Sequence, residues 1–419
     1  MKASYKTILK LIGYIAGAIV IGCLSMILVY KLPTDPMAAN VARSSDIFNY
    51  EGVYPSWVEG YKTTQLDNWT EGYVLCSAIY PSENTVQDAM NNPIIEYRDE
   101  RITLSLTLQA NKLSGDTYIS SYGRYWHGLL VVLKPLLLFF DVGDIRILNM
   151  MLQLALLLGI VVSIVEKGYK KILLPFFLAV IIINPITMPM SFTFSAEYIL
   201  MLLACLLVVN KHTILKEKDK YYVFFCMLGC LTAFFNEMSY PVVTLGIPLF
   251  VYLAFEEKEW KAKIVDEILL SISWVGGYAG MWIGKWICGS LLTGRNYFLD
   301  AFSQANSYVV TGLNEPTVID RIWKNIRVII RWPYLILMLL VIIWIITKNR
   351  KVTLKKEELV SIFKEKVPFL ILAMYPFVTY IALGNGYSYN HYWFSYRLLA
   401  ITAAAGVYLF EFSRKKTSG

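Results

Sequence analysis

The chain has 419 residues, of which 56% are hydrophobic and only 17% charged, against about 45–50% and about 25% in ordinary soluble domains. That composition, with a mean hydropathy of +0.49 and long apolar runs between short lysine-rich segments, excludes an ordinary soluble globular protein and predicts an all-α membrane protein. The net charge of +8 fits nucleic acid, an anionic surface or basic cytoplasmic loops equally until the charges are placed.

Lys2, Lys6 and Lys10 precede an apolar run from Leu11 to Tyr30, long enough to span a bilayer and too long for a signal-peptide core, so residues 1–31 read as an uncleaved first span. From Leu32 to about Arg124 the hydrophobic density falls. That stretch holds twelve acidic and six basic residues, so the rest of the chain carries a balance of +14. Residues 32–126 are therefore expected to form an external domain.

His127 to Phe140 is apolar but short, broken by Lys134-Pro135 and followed by Asp141-Val142-Gly143-Asp144; residues 127–144 read as a helix lying in the outer interface. Further spans are expected at about 145–165, 172–190, 195–210, 221–238, 240–256 and 267–291, giving helices two to seven over 145–291, and at 333–347, 367–384 and 397–412 within 333–419. That makes about ten transmembrane helices. Between the two groups, residues 292–332 form an external loop whose Val318 to Trp332 stretch spaces Arg321, Lys324, Arg327 and Arg331 along one helical face. Such a helix fits lipid headgroups and a phosphate-binding role equally.

With the N-terminus cytoplasmic, the inside segments hold 23 of the 39 Lys and Arg residues, so the positive-inside rule puts both termini in the cytoplasm of a multi-pass cell-membrane protein. The charge is then topological and gives no support for nucleic acid. Five of the six cysteines lie in apolar runs; Cys76, alone in the polar segment, is expected to react with an impermeant maleimide.

No Gly-rich phosphate loop, HExxH, CxxC pair or GxSxG occurs, so nucleotide binding, zinc hydrolysis and the serine-hydrolase elbow lack support. What remains is a collection of ionisable groups at the external edge, which is expensive unless paired or used. Thr34-Asp35-Pro36 suits a turn or helix cap as well as a site. Asp67 and Glu71, four apart, can share a helical face or an exposed turn, and Asp46 lies nearby. Ser121-Tyr122-Gly123-Arg124-Tyr125-Trp126-His127 and Tyr389-Asn390-His391-Tyr392-Trp393-Phe394-Ser395-Tyr396-Arg397 fit an aromatic belt or a sugar-stacking, phosphate-binding site. Asn236-Glu237 before Tyr240-Pro241 falls in a break between spans, and broken helices line cavities.

A first span, a large external segment opening with Asp35, and then the run from Tyr125 through Lys134-Pro135 and Asp141 to Arg146 and Asn149 resemble the GT-C class of integral-membrane glycosyltransferases. The strings Tyr122 to Gly128, Asn236 to Pro248 and His391 to Arg397 are also similar to those of uncharacterised polytopic membrane proteins from Gram-positive bacteria, in which an Asp is expected near the position of Asn236-Glu237. The resemblance implies transfer of a sugar from a polyprenyl-phosphate carrier to an external cell-envelope acceptor. Such transfer needs a carboxylate base and fixed positive charge for the leaving phosphate. Asp35 is the first choice for the base, with Asp67 and Asp46 as alternatives. Arg124, His127, Glu237, His391, Arg397 and the Arg321/Lys324/Arg327/Arg331 face are the expected binding groups. The carboxylates fit a base or ligands for a divalent metal equally, so no cofactor is assigned. A transporter or flippase of a lipid-linked saccharide, or a non-enzymatic envelope-assembly protein, are the rival readings.

Overall fold

The computed structural model describes residues 5–309, 315–350 and 356–411. Lys2, the middle of the 292–332 loop, residues 351–355 and the basic tail from residue 412 lie outside them. The described chain is 77% helical, and five helices are long and apolar enough to cross a membrane: α1 (Tyr5–Tyr30), α7 (Val142–Glu166), α9 (Phe192–Leu215), α15 (Trp332–Asn349) and the stretch Val360–Ala382, which spans α16 (Lys356–Ala373) and α17 (Tyr375–Ala382).

Between α1 and α7 lie α2 (Thr34–Glu51), α3 (Asn68–Ala78), α4 (Thr85–Asn91), α5 (Ile102–Ala110) and α6 (Leu130–Leu137). An antiparallel ribbon of β1 (Pro93–Tyr97) and β2 (Thr117–Ser121), in register Ile95 to Ile119, closes this layer. Its core is continuous with α1: Met37, Phe48, Leu75, Leu106 and Leu133 bury together with Met26 and Tyr30. Cys76 is fully buried there, so the expected thiol labelling does not hold for the folded chain.

The remaining helices are α8 (Leu173–Ile183), α10 (Lys220–Phe235), α11 (Val242–Phe255), α12 (Trp260–Thr293), α13 (Tyr297–Val309), α14 (Val318–Ile329), α18 (Tyr392–Ser395) and α19 (Leu399–Tyr408). Some are shorter than the apolar runs that announce them. α8 stops at Asn184, whose φ of +68° begins a turn before Pro185, and α19 covers 10 residues, about 15 Å at 1.5 Å per residue.

Side-chain contacts fix which helix ends meet. Lys216 after α9 pairs with Glu256 after α11 at 3.0 Å, and Lys258 pairs with Asp266 of α12 at 2.6 Å. That gathers the α9 and α11 C-termini with the α10 and α12 N-termini at one basic end. At the opposite end Glu71 of α3 accepts from Ser191 Oγ, the Phe192 and Thr193 amides and Thr193 Oγ1, capping the N-terminus of α9 with negative charge where its dipole is positive. Tyr30, closing α1, meets Ser77 Oγ at 2.8 Å at this same end.

α12 is held between two neighbours through its glycines. A Cβ on Gly277 would collide with the Cys226 carbonyl oxygen of α10, and one on Gly284 with the Ile19 side chain of α1. Small residues let helix backbones approach where no side chain fits.

Candidate functional site

A cavity of about 840 Å³ opens where the α2–α6 layer meets the far ends of α10 and α12. The walls are mostly aromatic: Tyr122 and Tyr125 precede α6, Tyr278, Trp282 and Trp286 recur every fourth residue of α12, and Trp393 faces Tyr54 edge-on at 5.6 Å. Apart from tyrosines, the ionisable groups among the described lining residues are Asp67, Arg124, Glu237 and His391.

Asp67 is the N-cap of α3, its Oδ1 accepting from the Thr70 amide at 3.1 Å and its Oδ2 from the Thr70 hydroxyl at 2.7 Å. The next residue, Asn68, donates to Glu51 Oε2 at 2.9 Å, and Glu51 is gripped by both terminal nitrogens of Arg146 at 2.8 and 3.1 Å. This bidentate chain ties the end of α2, the start of α3 and the start of α7 into one mount for Asp67. Burial pushes the Asp67 carboxyl up to about 7, against the Thr70 hydrogen bonds that favour its charged form, with Glu71 and Glu237 adding to the rise. Glu71, four residues on, turns away to cap α9 and is also raised by burial.

Arg124 lies over the Tyr122 ring at 4.2 Å and reaches Asp300 of α13 at 3.5 Å. Trp286 Nε1 donates to its backbone carbonyl at 3.1 Å. Beside it, the Gly128 amide donates to the Phe234 carbonyl at 2.9 Å, docking the turn before α6 on the end of α10. That contact brings His127 onto Glu237, Nδ1 to Oε1 at 2.7 Å, with side chains 0% and 6% exposed. His127 Nε2 donates to the Tyr122 carbonyl at 3.0 Å, and Glu237 Oε2 is buried with no hydrogen-bond partner among the described residues. Both flanks are strained, with φ of +52° at His127 and +65° at Met238, a conformation that non-glycine residues hold only where their surroundings impose it. His391 Nδ1 donates to the Gly386 carbonyl at 2.6 Å, and burial lowers its pKa.

The other expected residues lie elsewhere. Asp35 has an 81% exposed side chain and pairs with Lys112 at 2.8 Å; Asp46 is exposed on α2. Neither lines the cavity. Arg397 is fully buried in the helix core, its Nε donating to the Ile183 carbonyl at 3.1 Å and its guanidinium 4.5 Å from the Phe194 ring. The basic residues around α14 do not act as one face. Arg321 Nε donates to Asn385, Lys324 sits 3.4 Å from the Tyr389 ring, Arg327 is exposed, and Arg331 follows the helix and reaches Tyr61.

Glu51, Tyr54, Trp282 and Trp286 are the residues that sequence reasoning passed over. For Trp282 and Trp286 the four-residue spacing with Trp274 and Tyr278 was the one available signal, and nothing in the sequence pattern marked Glu51 or Tyr54. Among the described residues no group of three or more His, Cys, Asp or Glu side chains is arranged to hold a metal ion. A scan against protein-family models finds no match, and searches of the curated proteins and of the solved structures find none either.

Proposed function

We propose that the chain is a multi-pass cell-membrane glycosyltransferase of the GT-C kind, moving a sugar from a polyprenyl-phosphate carrier to an acceptor on the external face. Ten helical segments cross the bilayer in this reading, the basic end and both termini are cytoplasmic, and the α2–α6 layer is external. The observation that carries it is the composition of one cavity: a carboxyl poised near neutrality at Asp67, a guanidinium at Arg124, and aromatic walls between them.

The chemistry follows from those groups. The acceptor hydroxyl oxygen attacks the anomeric carbon as its proton passes to the Asp67 carboxylate. The bond from that carbon to the phosphate oxygen breaks, and the lipid phosphate leaves with the electron pair beside Arg124. One displacement inverts the anomeric centre. Asp67 takes the role that Asp35 was expected to fill, because Asp35 and its Lys112 partner are both solvated. Aromatic faces suit the apolar faces of a sugar ring.

The test is incubation of purified protein in nanodiscs with radiolabelled polyprenyl-phosphate hexoses and cell-envelope acceptors. Transfer is expected with wild type and, for Asp67→Asn, a fall of about 10²–10⁴-fold. Labelled lipid that crosses the bilayer with no transfer from any donor would overturn the enzyme reading in favour of a flippase.

A further inference from the structure

We propose that Cys23 of α1 and Cys288 of α12 form an oxidation site, which a small disulfide on the external side converts into one covalent bond between the two helices. The pairing stands on geometry; that the oxidant comes from outside rests on the orientation in the reading above.

The two helices run parallel and meet every fourth residue. A Cβ on Gly280 would meet Ile15, and one on Gly284 would meet Ile19. Four residues further along each helix stand Cys23 and Cys288, so one more turn carries the seam onto the two thiols. There the thiols hydrogen-bond to each other. Lys285, on the turn before Cys288, interacts with both sulfurs, which places all three side chains at one spot. A disulfide needs Cα atoms about 4.4–6.8 Å apart, and glycines along a seam are what bring helix backbones toward that range.

Access separates this pair from the other cysteines. Cys76 and Cys205 are 0% exposed. Cys226 and Cys230 hydrogen-bond to each other along α10, but each is only 1% exposed. Of the six, Cys288 alone is not buried, so a reagent meets it first. It follows Trp286 of the cavity wall by two residues, which in the proposed orientation sets it at the external headgroups, on the side where disulfides persist.

The step balances with a disulfide as oxidant. The Cys288 thiolate attacks one sulfur of the reagent, the reagent's S–S bond breaks, and one half leaves as a thiolate. The Cys23 thiolate then attacks the Cys288 sulfur and expels the second half. The two cysteine protons end on the two released thiols, so two protein thiols are oxidised and one reagent disulfide is reduced. Tyr278, Trp282 and Trp286 of the same helix line the cavity, so the new bond anchors the element that carries that wall.

Full-length protein in nanodiscs, reduced and freed of reductant, is incubated with oxidised glutathione, denatured in maleimide and mapped by mass spectrometry without reduction. Wild type is expected to lose two of its six thiols and to yield the Cys23 and Cys288 peptides joined, two hydrogens lighter and separable by dithiothreitol. Cys23→Ser is expected to stop at a glutathione adduct on Cys288, and Cys288→Ser to lose no thiol. The oxidised wild type is expected to melt above the reduced form, a rise that Cys288→Ser lacks. Wild type that keeps all six thiols, stops at the Cys288 adduct or links other cysteines would overturn the pairing. Intact cells test the side separately, because oxidised glutathione does not cross the membrane. Linkage there is expected without permeabilisation. Linkage in nanodiscs but in cells only after permeabilisation would leave the pair standing and overturn the external orientation on which the transferase reading depends.

Discussion

At Asp67 a buried carboxyl keeps its proton to about pH 7, and this has two measurable consequences. As a base it works only when ionised, so transfer is expected to rise with pH through about 7. For stability the sign is opposite. The folded state holds the proton more tightly than the unfolded one, so stability is greatest at acid pH and declines as pH rises through the folded value. Asp67→Asn, which cannot ionise, is therefore expected to melt at the same or a higher temperature than wild type at pH 8 while losing transfer. Asp35→Asn removes one partner of an exposed pair worth about 0–1 kcal/mol and is expected to leave both transfer and melting unchanged. Sequence alone could rank Asp35 first because it follows the first span directly; its exposure and its ion pair with Lys112, 77 positions away, are what demote it. His127 and Glu237 were each legible as polar residues at span boundaries. Their pairing across 110 positions was not, because it depends on one backbone bond from Gly128 to the end of α10.

Among the elements, α12 is the one whose packing is most exacting. A Cβ added at Gly276 would meet nothing within 4 Å, whereas one at neighbouring Gly277 would collide with backbone of α10. Gly276→Ala is expected to be neutral or slightly stabilising by about 0.5–1 kcal/mol from helix propensity. Gly277→Ala gains the same propensity and should still lose about 1–3 kcal/mol through overpacking, read as a lower midpoint in detergent melting. Long apolar helices such as α1, α7 and α9 were legible because twenty or so consecutive residues carry the same signal. The basic stretch from Val318 was legible as a helix too, and Thr317 and Asp320 supply a capping box at its start. Its expected single face was not realised, since Asn325 is drawn inward by the Ser388 carbonyl and Ser395, turning Arg321 and Lys324 onto the 385–392 segment.

For the whole molecule, composition alone led to an all-α membrane protein, and among the described residues five helices meet the length and hydropathy that a crossing needs. The proposed orientation makes a separate prediction. Tyr50 is 95% exposed on α2 and Glu217 is exposed between α9 and α10. Tyr50→Cys is expected to react with an impermeant maleimide in intact cells, and Glu217→Cys only after permeabilisation; the reverse pattern would invert the topology.

The length of α12 bears on how a donor would arrive. Its 34 residues extend about 51 Å, well beyond a hydrocarbon core of about 30 Å. Counted from Glu267 in the proposed orientation, that core ends near Trp286, which leaves Tyr278 about 12 Å below the headgroups. In that orientation the cavity wall would straddle the boundary between oil and water. A carrier lipid could present its phosphate and sugar there while its isoprenoid tail stays dissolved in the bilayer, avoiding an extraction cost of about 0.8 kcal/mol for every methylene exposed to water. Donor capture then becomes lateral diffusion in two dimensions, and the acceptor alone arrives from solution.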